Sequence, residues 1–193
     1  MKDFVARCWL ALWRWKVVAP PAPLPDKFVL VGAPHTTNWD FPLMLAITRR
    51  LGVKVHFLGK DSLFRGPMGP LMRRLGGIPI DRSAPGGMVA SLAAEFASRD
   101  KLVLLVPAEG TRSHTGHWKS GFYHIARQAG VPVGCGFLDS TTRSGGVGPM
   151  VELTGDISRD MDAFRAFYEG KTGVRKGKAG PVRLKEESAG EAA

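Results

Sequence analysis

The sequence predicts one α/β layer domain in which helices flank a mostly parallel central sheet, and three observations lead there. Short β-branched apolar runs alternate with helical patterns from residue 28 to residue 169. Glycine and proline punctuate the boundaries between those runs. The 193 residues, 44% apolar and 23% charged, give the length of a single domain and enough apolar side chain to bury a core, which excludes wholesale disorder.

Phe4 to Val18 reads as an N-terminal amphipathic helix, with Trp9, Trp13 and Trp15 among Val5, Leu10, Leu12, Val17 and Val18. Arg7, Arg14 and Lys16 interrupt it, and it falls short of the roughly 20 apolar residues a membrane span needs. It also lacks the uninterrupted apolar centre of a signal peptide. Tryptophan with arginine suits a lipid headgroup boundary, and the same pattern suits a helix packed on the protein's own core. Both readings stand at this point. Residues 19–27 hold Pro20, Pro21, Pro23 and Pro25 and form an extended connector.

Beyond the connector, Phe28 to Gly32 is a buried strand, Asp40 to Leu51 a helix and Lys54 to Leu58 a second strand. Leu63 to Leu75 is helical but broken at Gly66-Pro67 and Gly69-Pro70, and Gly77 to Ile80 is a third strand. Ala84 to Ser98 is an alanine-rich helix, Lys101 to Val106 the strongest buried strand, and Gly121 to Gln128 a helix ended by Gly130. Val131 to Leu138 and Gly148 to Leu153 are the last strands, the glycines of residues 145–148 are read as a turn, and Asp160 to Tyr168 is a short helix. Residues 28–169 form the domain proper. Residues 170–193 are rich in Gly, Lys and Glu and are read as a mobile basic tail.

Twenty-seven Lys and Arg against seventeen Asp and Glu leave a net charge of +10, which calls for an anionic partner. The basic residues are scattered, and no zinc-finger, homeodomain or aromatic RNA-binding signature accompanies them, so nucleic acid is not expected. Cys8 and Cys135 are too few for a disulfide framework or a cysteine-built zinc site and fit a reducing compartment. His114, His117 and His124 lack the spaced partners of a metal site, and no metal is expected. Asp156, Asp160 and Asp162 read as helix-capping and first-turn acids.

His35 follows the first buried strand, with Asp40 five positions on. Histidine is the side chain best matched to taking a proton near neutral pH, and a carboxylate fixes its tautomer. His56 and Asp61 repeat the spacing, but His56 lies inside a strand pattern whereas His35 lies at a strand's carboxyl end, where α/β sheets place ligands. His35 is therefore the candidate and His56 a structural residue. Thr36, Thr37 and Asn38 are candidate caps for the helix that begins near Asp40. Arg82 ends a short strand, and Glu109-Gly-Thr-Arg112 follows the strongest one in a turn suited to anions.

Taken in order, these segments resemble the glycerolipid and lysophospholipid acyltransferase family. His35-Thr-Thr-Asn-Trp-Asp40 matches its first motif, Gly77-Ile-Pro-Ile-Asp-Arg82 its second, Glu109-Gly-Thr-Arg112 its third and Val131-Pro-Val133 its fourth, with Lys119-Ser-Gly121 between the last two. The resemblance spans about Phe28 to Asp139 and implies a glycerol-3-phosphate-acyltransferase-like fold. It implies that a fatty acyl group passes from an acyl thioester, acyl-CoA or acyl carrier protein, to a hydroxyl of a lysophospholipid such as 1-acylglycerol-3-phosphate. His35 would be the general base and Asp40 its partner. Arg82 and Arg112 would hold the acceptor's phosphate, Glu109 would position an arginine or the acceptor hydroxyl, Gly110 and Thr111 would shape the binding turn, and Lys119 would add an anion contact. No cofactor is implied. The expected place is the cytoplasmic, inner face of an anionic membrane. The alternatives are an acyltransferase for a different acceptor, an aminolipid or a secondary-metabolite hydroxyl, and a non-catalytic basic protein that binds lipid or nucleic acid.

Overall fold

The structure is a computed structural model that describes residues 2–80 and 87–190. In chain order, helix Lys2–Leu12 (α1) and strand Lys16–Val18 (β1) precede strand Lys27–Ala33 (β2) and helix Asp40–Arg50 (α2). Strand Val55–Lys60 (β3), a 3₁₀ turn at Asp61–Phe64, helix Gly69–Arg74 (α3) and strand Gly77–Ile80 (β4) follow. Next come helix Gly87–Ser98 (α4), strand Leu102–Pro107 (β5), helix Gly121–Ala129 (α5) and strand Val133–Asp139 (β6). Strand Ser144–Val151 (β7), helix Ile157–Tyr168 (α6) and helix Lys185–Gly190 (α7) complete the described chain.

The strands form one sheet in the order β1-β7-β6-β2-β5-β3-β4. Every pairing is parallel except β6 with β7. Strand β2 sits at the centre because it is apolar at odd and even positions alike, and side chains on a strand alternate between faces. Val29, Val31 and Ala33 join one buried cluster with Leu92 and Phe96 of α4, Phe122 and Ile125 of α5, and Met161 and Phe164 of α6. Phe28 and Leu30 join the other with Ala6 and Leu10 of α1 and Leu43, Met44 and Ile47 of α2. Helix α5 ends as the sequence predicts, with Gly130 left-handed at φ 63°.

Three expectations are corrected. The N-terminal helix stops at Leu12, not Val18: Arg14 turns the chain at φ 56°, and Lys16–Val18 pairs in parallel with β7. An open sheet edge offered hydrogen bonds to β-branched Val17 and Val18 that a longer helix would have forgone. The glycines at 145–148 are the buried interior of β7 rather than a turn. A side chain at Gly145 would stand 2.6 Å from Ile47 Cδ1, and one at Gly148 would strike the Phe167 ring, so the glycines admit α2 and α6 close to the sheet. The expected mobile tail is, from 170 to 190, laid back over the domain. Leu184 is buried, the Trp118 amide donates to the Arg183 carbonyl at 2.7 Å, and Arg165 pairs with Glu187 at 2.6 Å. A few apolar side chains and backbone bonds suffice to dock it, which average composition conceals.

Asp139, at the end of β6, fastens this returning segment. Its carboxylate accepts from the Thr142 hydroxyl at 2.7 Å, the Thr141 amide at 3.1 Å and the Thr172 hydroxyl at 3.0 Å. Burial pushes its pKa up, but the bonds from Thr142, Thr141 and Thr172 outweigh burial and hold it down at about 2, below the ordinary 3.8. Stability from this group is therefore present above the ordinary value and is lost as pH falls through about 2. Asp139→Ala is expected to cost about 1–3 kcal/mol near neutral pH. Urea unfolding of both proteins as the pH is lowered through that window should show the gap between them closing.

Candidate active site

Parallel packing brings the carboxyl ends of β2, β5 and β6 to one edge of the sheet, and the first motif leaves the sheet there. Past Ala33 and Pro34, joined by a cis peptide, the chain turns and Asp40 enters the first turn of α2. The Asp40 side chain reaches back over that turn. Its Oδ2 accepts from the Thr36 amide at 2.5 Å and the Thr37 amide at 2.8 Å and lies 3.0 Å from His35 Nδ1. Thr37 donates its hydroxyl to Oδ1 at 3.1 Å. The N-cap position falls to Trp39, which makes no side-chain cap bond, instead of to Thr36, Thr37 or Asn38, although Thr37 Oγ1 accepts from the Trp39 amide at 3.0 Å. The reason is that a first-turn carboxylate can serve upstream amides, the reciprocal half of a capping arrangement.

The pair differs in exposure, with 22% of the His35 side chain accessible against 7% of Asp40. A carboxylate oxygen held by two amides can only accept, so the neutral imidazole tautomer that fits here carries its proton on Nδ1 and its lone pair on Nε2. A cavity of about 50 Å³ opens beside His35 between Pro34, Phe41, Met44, Leu105 and Leu138, so the pair stands against an apolar wall.

Glu109 follows β5 and is 2% exposed. Its Oε2 accepts from the His35 amide at 2.5 Å and its Oε1 from the Gly180 amide at 3.4 Å. Burial raises its pKa, and the two amides oppose that rise. Two backbone donors, the amides of His35 and Gly180, thus turn the carboxylate into the fold. Gly110 takes φ 65°, a left-handed turn that a Cβ would also crowd against Lys119. Thr111, Arg112 and Lys119 lie exposed on the same loop, and Arg82 lies outside the described residues.

The competing pair does not form. His56 is buried on β3 with Nδ1 lacking a hydrogen-bond partner, while Asp61 pairs with Arg65. Burial, then Arg99 and Lys54, push the His56 pKa down. Val131-Pro-Val133 also falls away from His35, since Val133 is level with Val29 near the start of β2. Among the described residues no three of His, Cys, Asp and Glu gather as a metal site would require. Sequence reasoning missed the contribution of the returning segment. The Arg175 amide donates to Thr36 Oγ1 at 2.9 Å, beside His35, and only the unusual spacing of Gly173, Gly177 and Gly180 hinted at a close approach.

The sequence matches the Acyltransferase family over residues 18–135. No curated protein matches it. Among solved structures it resembles the 1-acyl-sn-glycerophosphate (LPA) acyltransferase, PlsC, from Thermotoga maritima, with a TM-score of 0.60 and 17% identity over 87% of this chain and 76% of that one.

Glu109→Gln would set an NH₂ group against one of the two amide donors. An expected loss of about 1–3 kcal/mol in urea unfolding follows from the unpaired buried groups, and Glu109→Ala should be at least as costly.

Proposed function

The chain belongs to the acyltransferase family, and from that premise we propose that it moves a fatty acyl group from an acyl thioester to a hydroxyl of a lysophospholipid. The observation that carries this reading is His35 Nδ1 held 3.0 Å from Asp40 at the mouth of an apolar cavity, with Nε2 free to take a proton. In the proposed step His35 removes the acceptor's hydroxyl proton as that oxygen attacks the thioester carbonyl. The C–O bond forms, the C–S bond breaks, and the imidazolium returns its proton to the departing thiolate. Asp40 stabilises the positive ring meanwhile, as the acid does in a serine-protease triad. The nucleophile belongs to the substrate, so no acyl-enzyme is required.

An acceptor of the kind for which the Thermotoga maritima enzyme is named, 1-acyl-sn-glycerophosphate, suits the exposed cations Arg112 and Lys119. Arg82 belongs to the same proposal through its motif. Acyl-CoA and acyl carrier protein are the donors considered. A membrane face accompanies the reading. Trp39 of the first motif stands 6.4 Å from Trp9 and 6.2 Å from Trp13, ring centre to ring centre. On α1, Ala6 and Leu10 face the core while Phe4, Val5 and Leu12 are exposed, and that outer apolar face supports the membrane reading. No described helix is long and apolar enough to cross a membrane. We place the protein on the inner, cytoplasmic face of an anionic membrane, with α1 lying in the surface beside the site.

The direct test incubates the protein with a labelled acyl thioester and a panel of lyso-lipids and identifies the product by mass spectrometry. His35→Ala should lower kcat about 10²–10⁴-fold, while His56→Ala keeps most activity. Equal losses at matched stability would overturn the assignment. Phe4→Ser with Trp13→Ser should weaken flotation with anionic liposomes and spare both the melting temperature and activity on a soluble short-chain acceptor. Unchanged flotation would move the membrane contact elsewhere.

A further inference from the structure

Beyond the residues matched to the family, which end at 135, the returning segment crosses the site as a strap. Three fastenings define it. At its start the Ser140 amide donates to the Gly173 carbonyl, and a side chain at Gly173 would stand 2.7 Å from Thr36 Cγ2, so only glycine lets the strap lie this close to the first motif. Next, the Arg175 amide is held by Thr36 Oγ1. Then the Gly180 amide is held by Glu109, the residue whose other oxygen holds His35. Arg183 continues the attachment through its carbonyl to the Trp118 amide and through Nε to the Gly116 carbonyl at 2.8 Å.

Anchors at 175 and 180 fix what lies between them. Residues 176–179 are Lys-Gly-Lys-Ala, each within two residues of an anchor, or about 8 Å of chain. Gly177 takes φ 77°, the left-handed turn that brings the chain back toward Glu109. Arg175 and Lys176 are exposed and Lys178 half-exposed, and among the described residues no acid pairs with any of the three. Arg112 and Lys119 lie on the loop to which the strap is bonded, also exposed and, among the described residues, unpaired. Four cations elsewhere pair with acids: Arg65 with Asp61, Arg99 with Glu95, Lys101 with Asp26 and Arg165 with Glu187. Like charges carried on a short segment bonded to a loop that also bears cations repel one another, and a bound anion relieves that repulsion.

We infer that the strap is a phosphate-binding arm of the site, in which Arg175, Lys176 and Lys178 grip the phosphate of a phosphorylated substrate beside His35. The inference rests on the acyl-transfer reading and adds to it a group of residues outside the four motifs. Phosphate enters that reaction from two sources, the acceptor's headgroup and the phosphates of a coenzyme A donor, and both present the same chemistry to the strap.

The test uses the full chain and needs no turnover. An amine-reactive acetyl ester labels exposed lysines, and peptide mass spectrometry reads the extent at Lys176 and Lys178 with glycerol 3-phosphate or with 3′,5′-ADP present. One probe is expected to slow labelling about threefold at both lysines while Lys16, at the far edge strand, is unchanged. Protection by glycerol 3-phosphate assigns the acceptor and protection by 3′,5′-ADP assigns the donor. Kinetics give a second reading: Lys176→Ala with Lys178→Ala should raise KM about fivefold for the phosphate-bearing substrate, leave kcat within about twofold, and lose its effect in high salt. Absence of protection by both probes overturns the inference, as does a fall in kcat and melting temperature with KM unchanged, which makes the strap structural only. Protection in a chain that transfers no acyl group upholds the phosphate arm and removes the acyl-transfer reading.

Discussion

One buried carboxylate joins the parts of this site. Glu109 is almost wholly buried, and its two oxygens hold the amide of His35 and the amide of Gly180, residues far apart in the chain. A buried charge is tolerated only where donors replace lost water, so these amides are a condition of the fold as well as a consequence of it. Through that requirement the end of β5 fixes the loop after β2 and the strap laid over it. The Ala108 amide bonded to the Gly32 carbonyl, and the Lys119 amide bonded to the Ala108 carbonyl, brace the same corner.

Asp40 performs the companion task within the loop. Its Oδ2 gathers Thr36, Thr37 and His35, so the imidazole is oriented by an acid that is itself fixed by backbone. The support behind them is the sheet, where Val31 and Gly136 offer their carbonyls to the buried Tyr168 hydroxyl, at 3.3 and 2.9 Å, and so tie α6 to the central strands. Rigid strands under a loop-built site are the arrangement in which small groups stay aimed.

The site's surroundings combine two surfaces of different character. Trp39, itself part of the first motif, meets Trp9 and Trp13 of the N-terminal segment, giving exposed aromatic area near the His35–Asp40 pair in the chain. The strap and the loop of Arg112 carry exposed cations. The proposed substrate, with an apolar chain and an anionic head, suits both characters.

Much of this was legible in the residues themselves. Apolar character at every position of Phe28 to Val31 demanded a strand buried on both faces, and the strand–helix alternation demanded crossovers, hence a parallel sheet. The five-residue step from His35 to Asp40 is local, so its pairing needs only the tight turn of residues 35–39 that lets Asp40 reach back, and the contrast with His56 followed from strand position. What the sequence could not disclose are pairings that local pattern does not encode. Whether Lys16–Val18 extends a helix or joins a sheet depended on the open edge of β7, and whether the glycines of 145–148 turn or pair depended on the Ile47 and Phe167 side chains that press on them. The direction of the Glu109 carboxylate and the docking of the strap were decided only by tertiary structure, because a buried charge takes its donors from whatever backbone the fold brings within reach. Periodicity specifies which face of an element is buried; it carries no information about which distant amide will meet it.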